Sequence, residues 1–378
     1  MRIGVPAETA AGETRVAATP ETVKKLVAQG HAVCVQSGAG EAASAVDDAY
    51  RDAGAEIVDA QSALAADLVL KVQAPSPAEL SLMKPGAAVV GMLNPFDTGG
   101  LQRLAEGGLT AFALEAAPRT TRAQSMDVLS SQANVAGYKA VMLAANEYQR
   151  LFPMLMTAAG TIKAARVVVL GVGVAGLQAI ATAKRLGAVI EASDVRPAVK
   201  EQVESLGGKF IDVPYETDEE REAAEGVGGY ARPMPQSWLD RQKVEVAKRV
   251  AQANVVISTA LIPGRPAPVL ITEDMVRAMR PGSVIVDIAA GRAADGVSGN
   301  CPLTEAGRVV RKHDVVIIGH TNLPALVAAD SSSLYARNVL DFLKLVLPPE
   351  ASQLQLPMDD DIVAACLVAH EGKVLRRT

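Results

Sequence analysis

Three glycines and one aspartate stand at a spacing that suits a nucleotide. Val167 to Leu170 is an unbroken apolar run, β-branched in its first three residues, and Gly171, Gly173 and Gly176 follow it as G-x-G-x-x-G. In a strand–turn–helix unit the first glycine permits the tight turn and the second lets the backbone approach a pyrophosphate. The third lets the helix pack closely on the strand. The helix expected over Leu177 to Leu186 stops at Gly187, and its first N–H groups point at a bound phosphate. A second strand, expected over Val189 to Ala192, leads to Asp194, at the distance of about 20 residues where an acidic side chain meets the adenosine ribose. A carboxylate there accepts from the ribose diol and repels a 2′-phosphate, which predicts NAD(H) over NADP(H). The alternative is a glycine turn without a ligand. A membrane span is a poorer account: Val167 to Ala183 carries no charge but falls short of the ~20 residues a span needs.

Two polar or irregular stretches hold other chemistry. From Pro118 to Asn134 the chain carries Arg119, Gln124, Asp127 and Ser130 after an expected strand. Arg119 and Asp127 are able to pair, and Gln124 and Ser130 offer neutral hydrogen-bonding groups. Chemistry alone leaves a site and a solvated loop that caps the next helix equally open. From Gly226 to Trp238, glycines and prolines surround Tyr230, Met234 and Trp238, a composition that suits a lid over a nucleotide, a disordered stretch or a local apolar cluster. Cys34, Cys301 and Cys366 are scattered without a C-x-x-C, and the four histidines lie far apart, so neither a disulfide framework nor a metal site is expected.

These groups require a scaffold of alternating strands and helices. Strands are expected at Arg2 to Val5, His31 to Val35, Leu68 to Val72, Ala87 to Leu93 and Thr110 to Leu114. Helices are expected from Pro20 (with Thr19 as N-cap) toward Gly30, over Asp47 to Ala53 and over Leu101 to Glu106. The second half echoes the first. Ala66-Asp67-Leu68-Val69-Leu70 resembles Ala253-Asn254-Val255-Val256-Ile257, and Met83 to Val90 resembles Met279 to Val286. The fold class is therefore α/β: two Rossmann-like, doubly wound parallel-sheet domains with a cleft between them. The expected first domain is 1–131 with 325–378, and the nucleotide-binding domain is 132–324. A helix over Gln132 to Gln149 links them, and another over Ser332 to Val346 crosses back. At 378 residues, with 49% hydrophobic residues, 3% aromatics and a net charge of −5, the chain suits two tightly packed α/β units and gives no reason to expect nucleic acid. Its first residues read as a strand, not as a signal segment.

Several motifs together resemble the NAD(H)-binding first domain of proton-translocating (Re/Si-specific) nicotinamide nucleotide transhydrogenases, in the form whose α subunit is split. They are Pro118 to Asp127, Leu129 to Tyr138, Gly171 to Ile180, Lys200 to Val203, Gly229-Tyr230-Ala231 and Thr259 to Gly264. The resemblance implies that Arg119, Gln124, Asp127 and Ser130 face the nicotinamide end of NAD(H). It also implies that Gly171, Gly173, Val174, Ala175, Gly176, Asp194, Val195, Gly229, Tyr230, Met234, Thr259, Ala260 and Leu261 hold the cofactor, with a mobile loop around Tyr230 and Met234. It further implies NADP(H) on a partner subunit, membrane-spanning partners, a homodimer, and a cytoplasmic chain peripheral to the inner membrane. No metal is implied, and no insertion of this chain into the membrane. The segment Asp287 to Asn300 is longer than the resemblance leads one to expect, which puts the loop from Ala290 to Gly299 outside the carry-over.

Direct hydride passage between two nicotinamides moves no substrate proton, so alignment and exclusion of water supply the catalysis. The sister family, the alanine dehydrogenases, is implied to use a lysine and a histidine. Lys71 stands at the lysine position, but no histidine occurs at Met92-Leu93-Asn94-Pro95. A soluble alanine-type dehydrogenase and a non-catalytic NAD(H)-sensing module are the alternative readings.

Overall fold

The computed structural model describes residues 1–225, 234–262, 264–291 and 298–375. They fall into two compact units, Met1–Gln132 with Pro324–Thr378, and Ala133–Leu323. In the first unit, β1 (Arg2–Val5), β2 (Ala32–Gln36), β3 (Glu56–Val58), β4 (Leu68–Gln73), β5 (Ala88–Met92) and β6 (Thr110–Ala113) form a parallel sheet in the order β3-β2-β1-β4-β5-β6. These strands are apolar along their length because both faces are covered. Leu68 and Leu70 face a core containing Phe112, Tyr335 and Phe342, whereas Val69 and Val89 face Leu64, Leu101 and Leu104. The first helix runs over Pro20–Ala28, with the Thr22 hydroxyl accepting from Thr19 N at 3.0 Å.

The second unit opens with an exposed antiparallel hairpin, β7 (Leu155–Thr157) and β8 (Gly160–Ile162). Its sheet comprises β9 (Arg166–Leu170), β10 (Val189–Ser193), β11 (Lys209–Phe210), β12 (Val255–Ser258), β13 (Val284–Asp287), β14 (Val309–Lys312) and β15 (Val315–Ile318), in the order β11-β10-β9-β12-β13-β15-β14. The strand order of the first unit thus recurs. Each pair of echoing segments holds equivalent places: β4 and β12 lie beside the first strand of their sheets, and β5 and β13 lie one strand further out. Val167 and Val169 face Ala140, Ala179 and Ile180, and Val168 and Leu170 face Val250, Val256 and Ile285.

After the helix Ala328–Val346, the chain adds β16 (Leu367–His370) and β17 (Lys373–Val374) to the first sheet. The edges depart from the all-parallel expectation. Tight turns join β14 to β15 and β16 to β17 as antiparallel pairs, and β16, entering the sheet from the C-terminal end of the chain, also pairs antiparallel with β6. Both residues of each turn have positive φ: His313 and Asp314 in one, Glu371 and Gly372 in the other. The usual Asn-Gly signal is absent from both, so the sequence conceals them.

The long helix spans Val128–Glu147, not Gln132 to Gln149, because Asp127 rather than a later residue caps it. Within the second unit, a Cβ at Gly137 would stand 2.1 Å from the carbonyl oxygen of Ala175, so this glycine lets the long helix touch the backbone of the helix after the glycine turn. Among the described residues no helix is long and apolar enough to cross a membrane.

Candidate functional site

The glycine turn sits at the carboxyl end of β9, the edge at which open α/β sheets bind ligands. Gly171 has φ +91°, and a Cβ there would stand 2.8 Å from the Thr259 hydroxyl. At Gly176 a Cβ would lie 2.1 Å from the Gly171 carbonyl oxygen. Gly173 differs: nothing approaches its Cβ position within 4 Å. It is the N-cap of the helix Val174–Arg185 and supplies no side chain to the first N–H groups. Tight packing at Gly171 and Gly176 beside open space at Gly173 fits a dinucleotide pyrophosphate laid across the helix N-terminus.

Asp194, just beyond β10, has a side chain only 7% exposed that turns toward that glycine turn. Its Oδ2 accepts from Val172 N at 2.7 Å, and its Oδ1 accepts from Arg196 N at 2.9 Å. The Arg196 guanidinium then forks over the carboxylate, with Nε to Oδ1 at 2.9 Å and Nη2 to Oδ2 at 3.0 Å. Nη2 also donates to the Val172 carbonyl at 3.2 Å. Arg196 does not simply face solvent: its side chain is only 26% exposed and is bound to the predicted ribose acceptor. The two-residue spacing was the only sequence signal for this.

Val195 packs on a small cluster of Val213, Ala223, Ala224, Met234 and Trp238. Trp238, expected in an irregular stretch, lies in the first turn of the helix Gln236–Val250, because the extended Pro235 serves as its N-cap. Its ring stacks on Tyr215 at 5.8 Å, and Nε1 donates to the Val213 carbonyl at 3.3 Å. Met234 is buried in this cluster, while Gly229 and Tyr230 fall outside the described residues. Some of the loop from Ala290 to Gly299 does so too.

Thr259 and Ala260 lead out of β12 directly against the glycine turn. Thr259 N donates to the Leu170 carbonyl at 2.8 Å, and its hydroxyl donates to the Gly171 carbonyl at 2.9 Å. Leu261 and Ile262, the next two residues, are exposed, as is Val174. The second unit therefore brings Gly171, Gly173, Val174, Ala175, Gly176, Asp194, Thr259 and Ala260 around one strand end.

The chain matches the alanine dehydrogenase/PNT N-terminal domain over residues 4–136 and the C-terminal domain of the same family over residues 140–377. It belongs to the alanine dehydrogenase/PNT family. It is 50% identical to the first part of the NAD(P) transhydrogenase alpha subunit of Rhodospirillum rubrum, over 99% of this chain and 98% of that one. The solved structure of transhydrogenase from Sinorhizobium meliloti is similar at TM-score 0.87 and 46% identity, covering 99% of this chain and all of the other. An L-alanine dehydrogenase structure is similar at TM-score 0.79 and 26% identity, over 99% of this chain and 97% of that one.

The first unit carries the other expected site residues and Lys71. In the polar stretch, Thr121–Met126 is a 3-10 helix, and Gln124 and Arg119 are exposed. Asp127 receives Ser130 N at 2.8 Å and the Ser130 hydroxyl at 2.6 Å, so these two residues form the start of the long helix. Lys71 is buried, with Nζ 2.6 Å from Glu79 Oε1 and 3.2 Å from Glu8 Oε2. Burial opposes ionisation of Glu79, but bonds from Lys71 and Ser76 hold its carboxyl below the usual range. Burial pushes the Glu8 carboxyl up, against the pull of Lys71. The charge of Lys71 is thus met within the chain by Glu79. Nearby, Arg15 forks onto Glu13 with two contacts of 2.7 Å and donates to Gln132 Oε1 at 2.7 Å. Gln73 joins the two groups, its Nε2 donating to Glu13 and its backbone N to Glu8. Residues far apart in sequence build this network, and no local pattern announces it.

Proposed function

We propose that this chain is the NAD(H)-binding component of a proton-translocating transhydrogenase. In this reading hydride passes directly from NADH held here to NADP⁺ held on a partner subunit, and membrane-spanning partners couple the transfer to proton translocation. What supports this most is the near-full-length likeness to a chain named as the first part of a transhydrogenase alpha subunit. The glycine turn and the N-terminal N–H groups of its helix would hold the pyrophosphate, Asp194 the adenosine ribose, and Thr259, Ala260 and Leu261 the passage toward the ring. Val195 and Met234 would flank the adenosine side, next to the segment that carries Gly229 and Tyr230. Arg119, Gln124, Asp127 and Ser130 would orient the nicotinamide. When bound, NADH supplies a hydride from its ring. The chain has only to align it and exclude water, and the internally neutralised Lys71 accords with there being no substrate proton to move. The chain would act as a homodimer on the cytoplasmic face of the inner membrane, attached through its partners.

The test is reconstitution. The purified chain should bind NADH but show no steady reduction of an NADP⁺ analogue, and adding the NADP(H)-binding component should restore hydride transfer. Steady transhydrogenation by the chain alone would overturn the proposal. So would NADH-dependent turnover of pyruvate and ammonia, which would mark an alanine dehydrogenase. NADH binding that stays inert in every reconstitution would leave a sensing module.

A further inference from the structure

Asp287, the last residue of β13, is fully buried, and its carboxylate is satisfied by neutral donors. Oδ1 accepts from Ser258 Oγ at 3.3 Å, Ala289 N at 3.1 Å and Asn300 N at 3.2 Å. Oδ2 accepts from Cys301 N at 3.1 Å and Thr304 Oγ1 at 2.8 Å. Taking a carboxylate out of water is costly, and here the carboxylate ties Ser258, Ala289, Asn300, Cys301 and Thr304 together at the end of the strand.

Asn300 is itself fully buried. Its side-chain amide pairs with both peptide groups of Ala260: Oδ1 accepts from Ala260 N at 3.1 Å, and Nδ2 donates to the Ala260 carbonyl at 2.9 Å. Nδ2 also donates to the Pro268 carbonyl at 2.8 Å. One asparagine thus does for Ala260 what a neighbouring strand would do. The contact falls just where regular pairing stops, since the register of β12 with β13 ends at Ser258 and Asp287. Its effect is on the loop, which Thr259 ties to the Gly171 carbonyl from the other side.

We propose that Asn300 and Asp287 are positioning residues of the dinucleotide site. Asn300 holds the Ala260 peptide beside the glycine turn, and Asp287 holds Asn300. This rests on the NAD(H) reading above and adds two residues that the reading does not contain. They act through the loop and touch no reacting atom. Their value is placement, since an error of about 1 Å in such a site costs ~100-fold in rate.

The experiment compares the full-length chain with Asn300→Ala and with Thr304→Val, a shape-conserving change that removes only the hydroxyl on Asp287. NADH affinity is read by calorimetry, stability by thermal melting, and hydride transfer by reconstitution with both nucleotides saturating. Asn300→Ala should weaken NADH binding about tenfold or more and lower the saturated transfer rate by up to ~100-fold. Thr304→Val should move both in the same direction by a smaller factor, which keeps the test decisive if Asn300→Ala does not fold. A lower melting temperature with wild-type affinity and wild-type saturated rate would overturn the positioning role. The underlying reading fails separately: the wild-type chain would not bind NADH, or Gly173→Glu would bind it as well as wild type.

Discussion

The Asp194 carboxylate has its four acceptor directions filled, two by backbone N–H groups and two by the Arg196 guanidinium. The backbone contacts belong to the turn itself and persist whatever binds. The arginine is the group a ribose diol would displace. Charge-assisted hydrogen bonds are worth roughly 1.5–3 kcal/mol each, and the diol's two bonds replace the two from Arg196. A net gain of about one such bond means that Asp194→Ala should weaken NADH binding by about 10- to 200-fold. The same change releases Arg196, a ready partner for a 2′-phosphate, so the preference for NADH over NADPH should narrow. Titration of the variant with both nucleotides checks this, and unchanged affinity with unchanged preference would remove Asp194 from the ribose.

His31 offers a second test at this scale. The ring is buried, and neither nitrogen has a hydrogen-bond partner among the described residues. Burial, aided by the N-terminal ammonium, lowers its pKa. The unfolded chain then binds the proton more readily than the folded one, so stability is lost as pH falls through the ordinary imidazole value of about 6.5. The melting temperature of the wild type should drop between about pH 7.5 and 5.5, and His31→Leu should flatten that slope. Parallel slopes would assign the acid sensitivity to other groups.

At the scale of elements, the stretch from Thr121 to Ser130 serves two ends. Asp127 caps a helix of 20 residues, while Gln124 on the preceding 3-10 turn is exposed. Asp127→Ala should therefore cost about 1 kcal/mol of stability, as lost N-caps do, besides any effect on hydride transfer. Gln124→Ala should change stability by less than about 0.5 kcal/mol and still slow transfer in the reconstituted complex, if its amide orients the nicotinamide. Urea unfolding beside saturated transfer rates separates the two. A Gln124→Ala variant at the wild-type rate would return this turn to a purely structural role.

For the whole molecule, the two units repeat one strand order around separate cores, and the cysteines lie inside them. Cys34, Cys301 and Cys366 are all buried, and burial pushes the Cys301 thiol up to about 11. Since the thiolate is the reactive form, an aromatic disulfide reagent should label none of the three in the native chain and all of them in denaturant. Rapid labelling of native protein would reveal an opening of one unit that its packing does not suggest.

Contiguous residues were enough to read much of the architecture. The apolar run before Gly171, the glycine spacing and the echo between Ala66 to Leu70 and Ala253 to Ile257 are local patterns, and each reflects a strand buried on both faces or a turn that only glycine fits. The parallel α/β class follows from them. The antiparallel edges did not, because His313-Asp314 adopts a conformation usually advertised by Asn-Gly. Nor did the company that side chains keep. Arg196 lies over Asp194, Asn300 is bound to a peptide 40 residues earlier, and Lys71 is closed by Glu8 and Glu79. These pairings depend on which strands become neighbours and in what register, and the folded sheet sets both. Sequence alone specified which groups are present and the elements that carry them. The tertiary structure decided which carboxylates, amides and cations meet, because burial forces each of them to find a partner.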